Sequence, residues 1–318
     1  MKKVLVTGAT GLIGSHMTSF LKDKGYYVIA IGRKNNKLTK EWYEKADKVY
    51  FKDLIKISLE SFLPNDLDLI YHFAADMGGV GYFSKYQYEP FVNNIQMDIK
   101  VFEFCRKNKI RLFYPSSICA YPIHLQTNKG LTEDTLIPAN PNEMYGWEKL
   151  MAMLLSQHAP FETRVGVLHT IFGPGQEYEG ERAKFPPQIT HKVIISKMAG
   201  KPVEIWGDGS QTRTFLYIDD AIEKIYEISM ANHYHGPVNV SSDEVITVKE
   251  CADWLCGFAD IKPKYKFNLS KPAGVGHRGV DNSKFYKYYK YRNRYTTREG
   301  FKKLYEFYKN QVRLNKIA

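Results

Sequence analysis

No stretch of this chain stays apolar for the roughly 18 residues that a bilayer-spanning helix needs. The N-terminal Lys2-Lys3 runs into VLVTGATGLIG, where Thr and Gly interrupt any signal-peptide core. The expectation is a cytoplasmic protein without membrane insertion. Cysteine is scarce: Cys105, Cys119, Cys251 and Cys256 sit at uneven spacing with no CxxC pair, which excludes a disulfide framework and a zinc ligand set. No metal is expected, and each cysteine stands as a free thiol. No internal repeat is visible, and 44% hydrophobic with 25% charged residues is too ordinary for a disordered or collagen-like chain.

Charge imbalance is also missing from most of the molecule. Residues 271 to 318 hold 13 Lys/Arg against only Asp281, Glu299 and Glu306, and so account for nearly all of the formal +11. Tyr286, Tyr288, Tyr289 and Tyr291 alternate there with Lys284, Lys287, Lys290 and Arg292, a mixture able to stack bases and neutralise phosphates. No nucleic-acid module accompanies it, so the expectation is a solvated basic face with tyrosines turned inward and no nucleic-acid partner.

What is present begins as strand, glycine turn and helix. KKVLVT leads into Gly8-Ala9-Thr10-Gly11-Leu12-Ile13-Gly14, and then Ile13, Met17, Phe20 and Leu21 recur at helical spacing. Short apolar runs follow at YYVIAIG, 47 to 51, 68 to 75 and 110 to 117, with a helical pattern over NNIQMDIKVFEFCRKN before the last. This alternation predicts an α/β fold with a Rossmann-like, doubly wound parallel sheet. Beyond about residue 172 the texture turns Gly- and Pro-rich. Residues 1–172 are therefore expected to form a dinucleotide-binding domain, rejoined by part of 212–240. Residues 173–318 are expected to form a smaller, loop-rich domain for the substrate.

Glycines without Cβ let backbone approach a pyrophosphate, which then rests on the positive end of the next helix. Gly8, Gly11, Leu12, Ile13 and Gly14 are the expected cofactor-binding turn, with Asp53, Leu54 and Ala74 at the ends of later strands. An acid closing the second strand would take the ribose hydroxyls of NAD. Gly32-Arg33-Lys34 stands there instead, and two cations without a carboxylate suit the 2′-phosphate of NADP.

Tyr145 and Lys149 lie one helical turn apart in NEMYGWEKLMAML, so both reach the same side of a helix, and a nearby ammonium favours the phenolate. Together with the glycine turn and Ser116-Ser117, this pair resembles the extended short-chain dehydrogenase/reductase family, in its nucleotide-sugar branch. The resemblance runs from TGATGLIG to GDGSQTRTFLYIDD. AADMGGVGYF, PSSICAYP and GERAKFPPQ are most similar to the GDP-mannose 3,5-epimerase group.

That resemblance implies a tightly bound NADP or NAD, a nucleotide-diphosphate sugar linked to GDP, and a homodimer. It implies that Tyr145, assisted by Lys149, removes the sugar C4 hydroxyl proton while Ser117 holds the C4 oxygen. The C4 ketone would acidify the neighbouring C3 and C5 hydrogens, which Cys119 and Lys184 exchange as an acid/base pair. Gly78, Gly79 and Thr170 would face the hexose, and Arg213 and Arg278 the diphosphate or ribose. Thr170 stands where the family usually has Asn. The rival reading is an NADPH-dependent 4-keto sugar epimerase/reductase resembling GDP-L-fucose synthase, which suits Arg33 and Lys34. That group places its cysteine directly after the paired serines and has His where Lys184 stands, whereas here Ile118 intervenes.

Overall fold

The computed structural model describes residues 1–126, 130–234 and 236–313. Seven parallel strands form its main sheet: β1 (Lys3–Thr7), β2 (Tyr27–Gly32), β3 (Lys48–Phe51), β4 (Leu69–His72), β5 (Arg111–Ser117), β6 (Thr163–Leu168) and β7 (Pro237–Val240). Their spatial order is β3-β2-β1-β4-β5-β6-β7, the doubly wound arrangement expected from the alternating runs.

Side chains on a strand alternate between faces, and both faces here are apolar, as a parallel sheet flanked by helices requires. Val4, Val6, Val28, Ala30 and Tyr71 join one core with Met17 and Leu21 of α1 (Leu12–Asp23). Leu5, Ile29, Ile70, Leu112 and Val165 join the opposite core. That core is completed by Val101 and Phe104 of α2 (Tyr88–Asn108) and by Leu150 and Met153 of α3 (Met144–Gln157).

β4 ends at His72, earlier than the apolar run suggested. A Cβ on Gly8 would lie 2.5 Å from the Phe73 carbonyl carbon, so the turn after β1 meets the chain leaving β4 backbone to backbone. Residues 73 to 75 thus become cleft wall instead of strand.

Past β6 the strands are short and separated by helices. Thr170–Phe172 pairs in parallel with Thr212–Tyr217, and Val203–Trp206 with Tyr265–Asn268. Phe185-Pro186-Pro187 opens α4 (Phe185–Ala199) directly after Lys184. Proline suits a first helical turn, where its missing N–H would have had no partner. The C-terminal tyrosines lie against the protein: Tyr289 is buried, Tyr288 stacks on Tyr234 at 4.1 Å, and Tyr291 donates to Asp220 at 2.6 Å. Among the described residues no helix is long and apolar enough to cross a membrane.

Candidate active site

Two adjoining cavities open at the carboxyl ends of the central strands, where the strand order reverses. The larger, about 510 Å³, runs over the glycine turn. Gly8 adopts φ +64°, a left-handed conformation that L side chains rarely take. Gly11 precedes α1 without any side-chain cap, which leaves the first N–H groups of the helix for an anion. Gly8, Gly11, Leu12, Ile13, Gly14, Arg33, Lys34, Asp53, Leu54 and Ala74 all line this cleft, as do Tyr145 and Lys149. A backbone cradle, an uncapped helix start and a cationic far end fit a nicotinamide dinucleotide. A Cβ on Gly32 would lie 2.3 Å from Thr10 Cγ2, and the Thr10 carbonyl is held by Asn36 and Thr39 at 3.0 and 2.9 Å. The place of the usual acid is thus filled by Thr10, a neighbour no sequence pattern indicates.

The smaller cavity, about 230 Å³, is lined by Gly78, Gly79, Ser117, Cys119, Thr170, Lys184, Arg213 and Arg278. Met77, Gly78, Ser117, Tyr145, His169 and Lys184 line both spaces. Of the five side chains singled out for chemistry, Ser117, Tyr145 and Lys184 lie where the two spaces join, while Lys149 lines the larger and Cys119 the smaller.

Local geometry explains the meeting. Ser117 ends β5, and its Oγ accepts from Cys119 N at 3.2 Å, which folds the Cys119 turn back over the strand end. A Cβ on Gly146 would lie 2.1 Å from the Cys119 carbonyl oxygen, so only glycine lets α3 come this close to that turn. Tyr145, the preceding residue, is thereby brought to the same cavity wall as Ser117, and Phe83 stacks on its ring at 4.6 Å. Burial pushes the Tyr145 phenol up, and the Lys149 charge opposes the rise. Lys149 Nζ is 5.8 Å from the Tyr145 ring centre and contacts Glu148 at 3.1 Å and the Tyr114 hydroxyl at 3.2 Å.

On the other side, Cys119 Sγ is 3.8 Å from Arg278 Nη1, and Arg278 Nε donates to Gln126 at 2.7 Å. Arg213 Nη1 donates to the Thr212 carbonyl at 2.7 Å. Burial, with the Arg278 charge beside it, lowers the Arg213 pKa. Neither guanidinium forms an ion pair with a carboxylate among the described residues, so the pair presents open charge to an anion. Burial also lowers Lys184, opposed by Cys119.

Two groups escaped sequence reasoning. Arg182 bonds to Asp76 at 2.5 Å and to the Tyr82 hydroxyl at 2.8 Å, and the Arg182 carbonyl accepts from Gly79 N at 3.2 Å. This clamps residues 76–82 onto the segment carrying Lys184. His169 Nε2 lies 3.0 Å from Asn239 Oδ1, and burial lowers its pKa to about 3, so the ring is neutral. Both partnerships span at least 70 residues and leave no local pattern.

A doubly wound sheet with a dinucleotide cradle and a Tyr/Lys pair at its mouth defines a nicotinamide-nucleotide enzyme. Residues 4–240 match the NAD dependent epimerase/dehydratase family, and the chain belongs to it. It is similar to GDP-mannose 3,5-epimerase 1 of Oryza sativa subsp. indica, with 34% identity over 88% of this chain and 75% of the relative. To GDP-mannose 3,5-epimerase of Arabidopsis thaliana it is 32% identical over 99% of this chain and 84% of the relative. The fold is that of UDP-glucose 4-epimerase from Thermotoga maritima, at TM-score 0.85 with 21% identity over 98% of this chain and 99% of that one. The protein is an NAD(P)-dependent nucleotide-sugar epimerase of the extended short-chain dehydrogenase/reductase class.

Proposed function

We propose that this enzyme inverts stereocentres of a GDP-mannose-type sugar beside a transient C4 ketone. The observation that carries the reading is the junction: Cys119 and Lys184 face the cavity into which Tyr145 and Ser117 also open. A bound nicotinamide supplies acceptance and return of hydride at C4. Tyr145 takes the C4 hydroxyl proton under the field of Lys149, and Ser117 holds the C4 oxygen. The carbonyl acidifies the adjacent C–H bonds, and Cys119 and Lys184 remove and replace those protons. Lys184 suits such a role because burial favours its neutral amine, a usable base. Arg213 and Arg278 hold the diphosphate, and Gly78, Gly79 and Thr170 shape the hexose pocket.

Incubation with GDP-mannose in deuterated water should place deuterium at C3, C5 or both, with no net change in NAD(P)H. Cys119→Ser should cut that exchange by roughly 10² to 10⁴-fold, the usual weight of a general acid or base, and leave the cofactor bound. Undiminished exchange would reject the assignment.

A second reading, a 4-keto sugar epimerase/reductase using NADPH, is supported by Arg33, Lys34 and Lys37, which line the cofactor cleft beside Gly32. The same cations favour NADP as the cofactor. Arg33→Ala should weaken NADP binding by about tenfold relative to NAD, the low end for a charged hydrogen bond at an exposed site. An unchanged ratio in a titration of both cofactors would overturn the preference. Stoichiometric NADPH consumption with a 4-keto sugar would favour the reductase.

The division at about residue 172, with part of 212–240 returning to the first domain, is supported by the pairing of β7 with β6. A homodimer is supported by Ile99 of α2 and Met151 and Leu155 of α3, which are 48, 49 and 52% exposed on two helices that pack side by side. The mass in solution, of one chain or two, checks it.

A further inference from the structure

Behind the face of α3 that carries Tyr145 and Lys149 lies a buried polar cluster that none of the steps above employs. Glu148, Asp98, Tyr114, His72 and Asn94 are all fully or almost fully enclosed. Glu148 Oε1 faces Lys149 Nζ at 3.1 Å and the Tyr114 hydroxyl at 3.1 Å, and Oε2 accepts from Asn94 Nδ2 at 2.9 Å. The Tyr114 hydroxyl also lies 3.0 Å from Asp98 Oδ2, and Asp98 Oδ1 is 3.0 Å from His72 Nε2. The Tyr114 hydroxyl thus bridges the two carboxyl groups, Glu148 on one side and Asp98 on the other.

Counting protons makes this arrangement informative. Tyr114 has one hydroxyl proton and two carboxyl oxygens within reach, so it serves only one of them. Two ionised carboxylates gathered on one hydroxyl in a buried site repel, and a proton on one of them relieves the repulsion. Among the described residues Lys149 is the one cation in contact with Glu148, and its charge acts on Asp98 as well.

We propose that Glu148 is a positioning residue that stays protonated in the working enzyme, so that the Lys149 ammonium acts on Tyr145 instead of being neutralised from behind. The proposal rests on the reading of Tyr145 as the base at C4. Burial raises the Glu148 carboxyl to about 8, with Lys149 opposing and Asp98 reinforcing the rise. For Asp98 the burial cost is outweighed by Lys149 and His72, which keep it low and ionised. The groups facing Glu148 are Lys149 and, farther off, Tyr145 on α3, Asp98 and Asn94 on α2, and Tyr114 on β5. His72 on β4 acts through Asp98, and Asp76, which bonds Asn94 through its backbone, is already paired with Arg182.

The sign follows from the charges. Below the Glu148 pKa the carboxyl is neutral and the Lys149 field favours the Tyr145 phenolate. Above it, an anionic Glu148 raises the phenol and cancels part of that field, so the oxidation step slows.

Two measurements on the enzyme as purified, with whatever cofactor it carries, test this. The infrared spectrum at pH 7 should contain the carbonyl band of a protonated buried carboxyl. Glu148→Gln should lose the band by removing the group, and Asp98→Asn by letting Glu148 ionise against Lys149. Absence of the band from the wild type, or its survival in Glu148→Gln, would overturn the proposal. In the second measurement, deuterium exchange into GDP-mannose should fall about tenfold per pH unit above the Glu148 pKa, as loss of one required proton dictates. Glu148→Gln keeps a neutral side chain and should flatten that alkaline limb to less than about twofold. An identical alkaline fall in both proteins would also overturn the proposal. If the wild type shows no exchange at any pH, the functional reading fails, and the infrared result alone decides the state of Glu148.

Discussion

Lys149 lines the larger cavity and Lys184 lines both, and their surroundings push them in opposite directions. Around Lys149, burial works against the ammonium, but the acidic groups gathered beside it outweigh that penalty and raise its pKa. Lys184 meets the same burial penalty with only Cys119 to offset it, and its pKa falls. Lys149 is 3% exposed and bonded in place, whereas no hydrogen bond holds the Lys184 amine among the described residues. One lysine is therefore a permanent charge and the other a group able to give and take a proton. The same residue type is suited to two kinds of chemistry because the acidic groups gather around one lysine only.

Breaking the contrast at Lys149 should have the largest effect. Lys149→Met removes the charge that stabilises the Tyr145 phenolate and leaves Asp98 without its main counter-ion. Turnover should fall by roughly 10³-fold or more, as expected where a charge acts only on the ionised catalyst. The variant should also lose about 3 kcal/mol or more of stability, the usual cost of an unpaired buried charge. Denaturant melts and single-turnover cofactor reduction separate the two effects, and a Lys149→Met enzyme within tenfold of wild type would remove Lys149 from the mechanism.

The contrast sharpens at Lys184. Lys184→Arg keeps the positive charge for the substrate and prevents its loss, since a guanidinium does not deprotonate in this range. Deuterium exchange should drop by roughly 10²-fold at neutral pH while GDP-mannose binding changes little. In the wild type, exchange on the acid side should rise with pH as the depressed amine loses its proton, and that rise should vanish in Lys184→Arg. An exchange rate in the variant that tracked wild type across pH would identify Lys184 as a binding charge only.

How far these features were legible depends on where the partners lie in the chain. The glycine turn, the Tyr145/Lys149 pair and the Ser117/Cys119 turn each lie within a few consecutive residues, so spacing reveals them. The later ends of the strands were less clear: the apolar run 68 to 75 shows no reason to stop at His72, because the reason is Gly8 pressing on Phe73. Phe185-Pro186-Pro187 reads as a loop until the helix beyond it is seen. Tyr114 joins Glu148 34 residues ahead of it to Asp98 16 residues behind it, and the Arg182–Asp76 pair joins positions 106 apart. Neither carries a local signature.

The amino-acid sequence by itself determined the strand and helix order, the glycine turn and the spacing of the Tyr145/Lys149 pair. These follow from backbone sterics, hydrophobic period and residue chemistry, which act over a few residues. Only the tertiary structure decided which lysine is held charged, which carboxyl must carry a proton, and that Thr10 fills the place of an acid at Gly32. Desolvation and Coulomb interactions depend on what surrounds a group in space, and chain spacing carries no record of that.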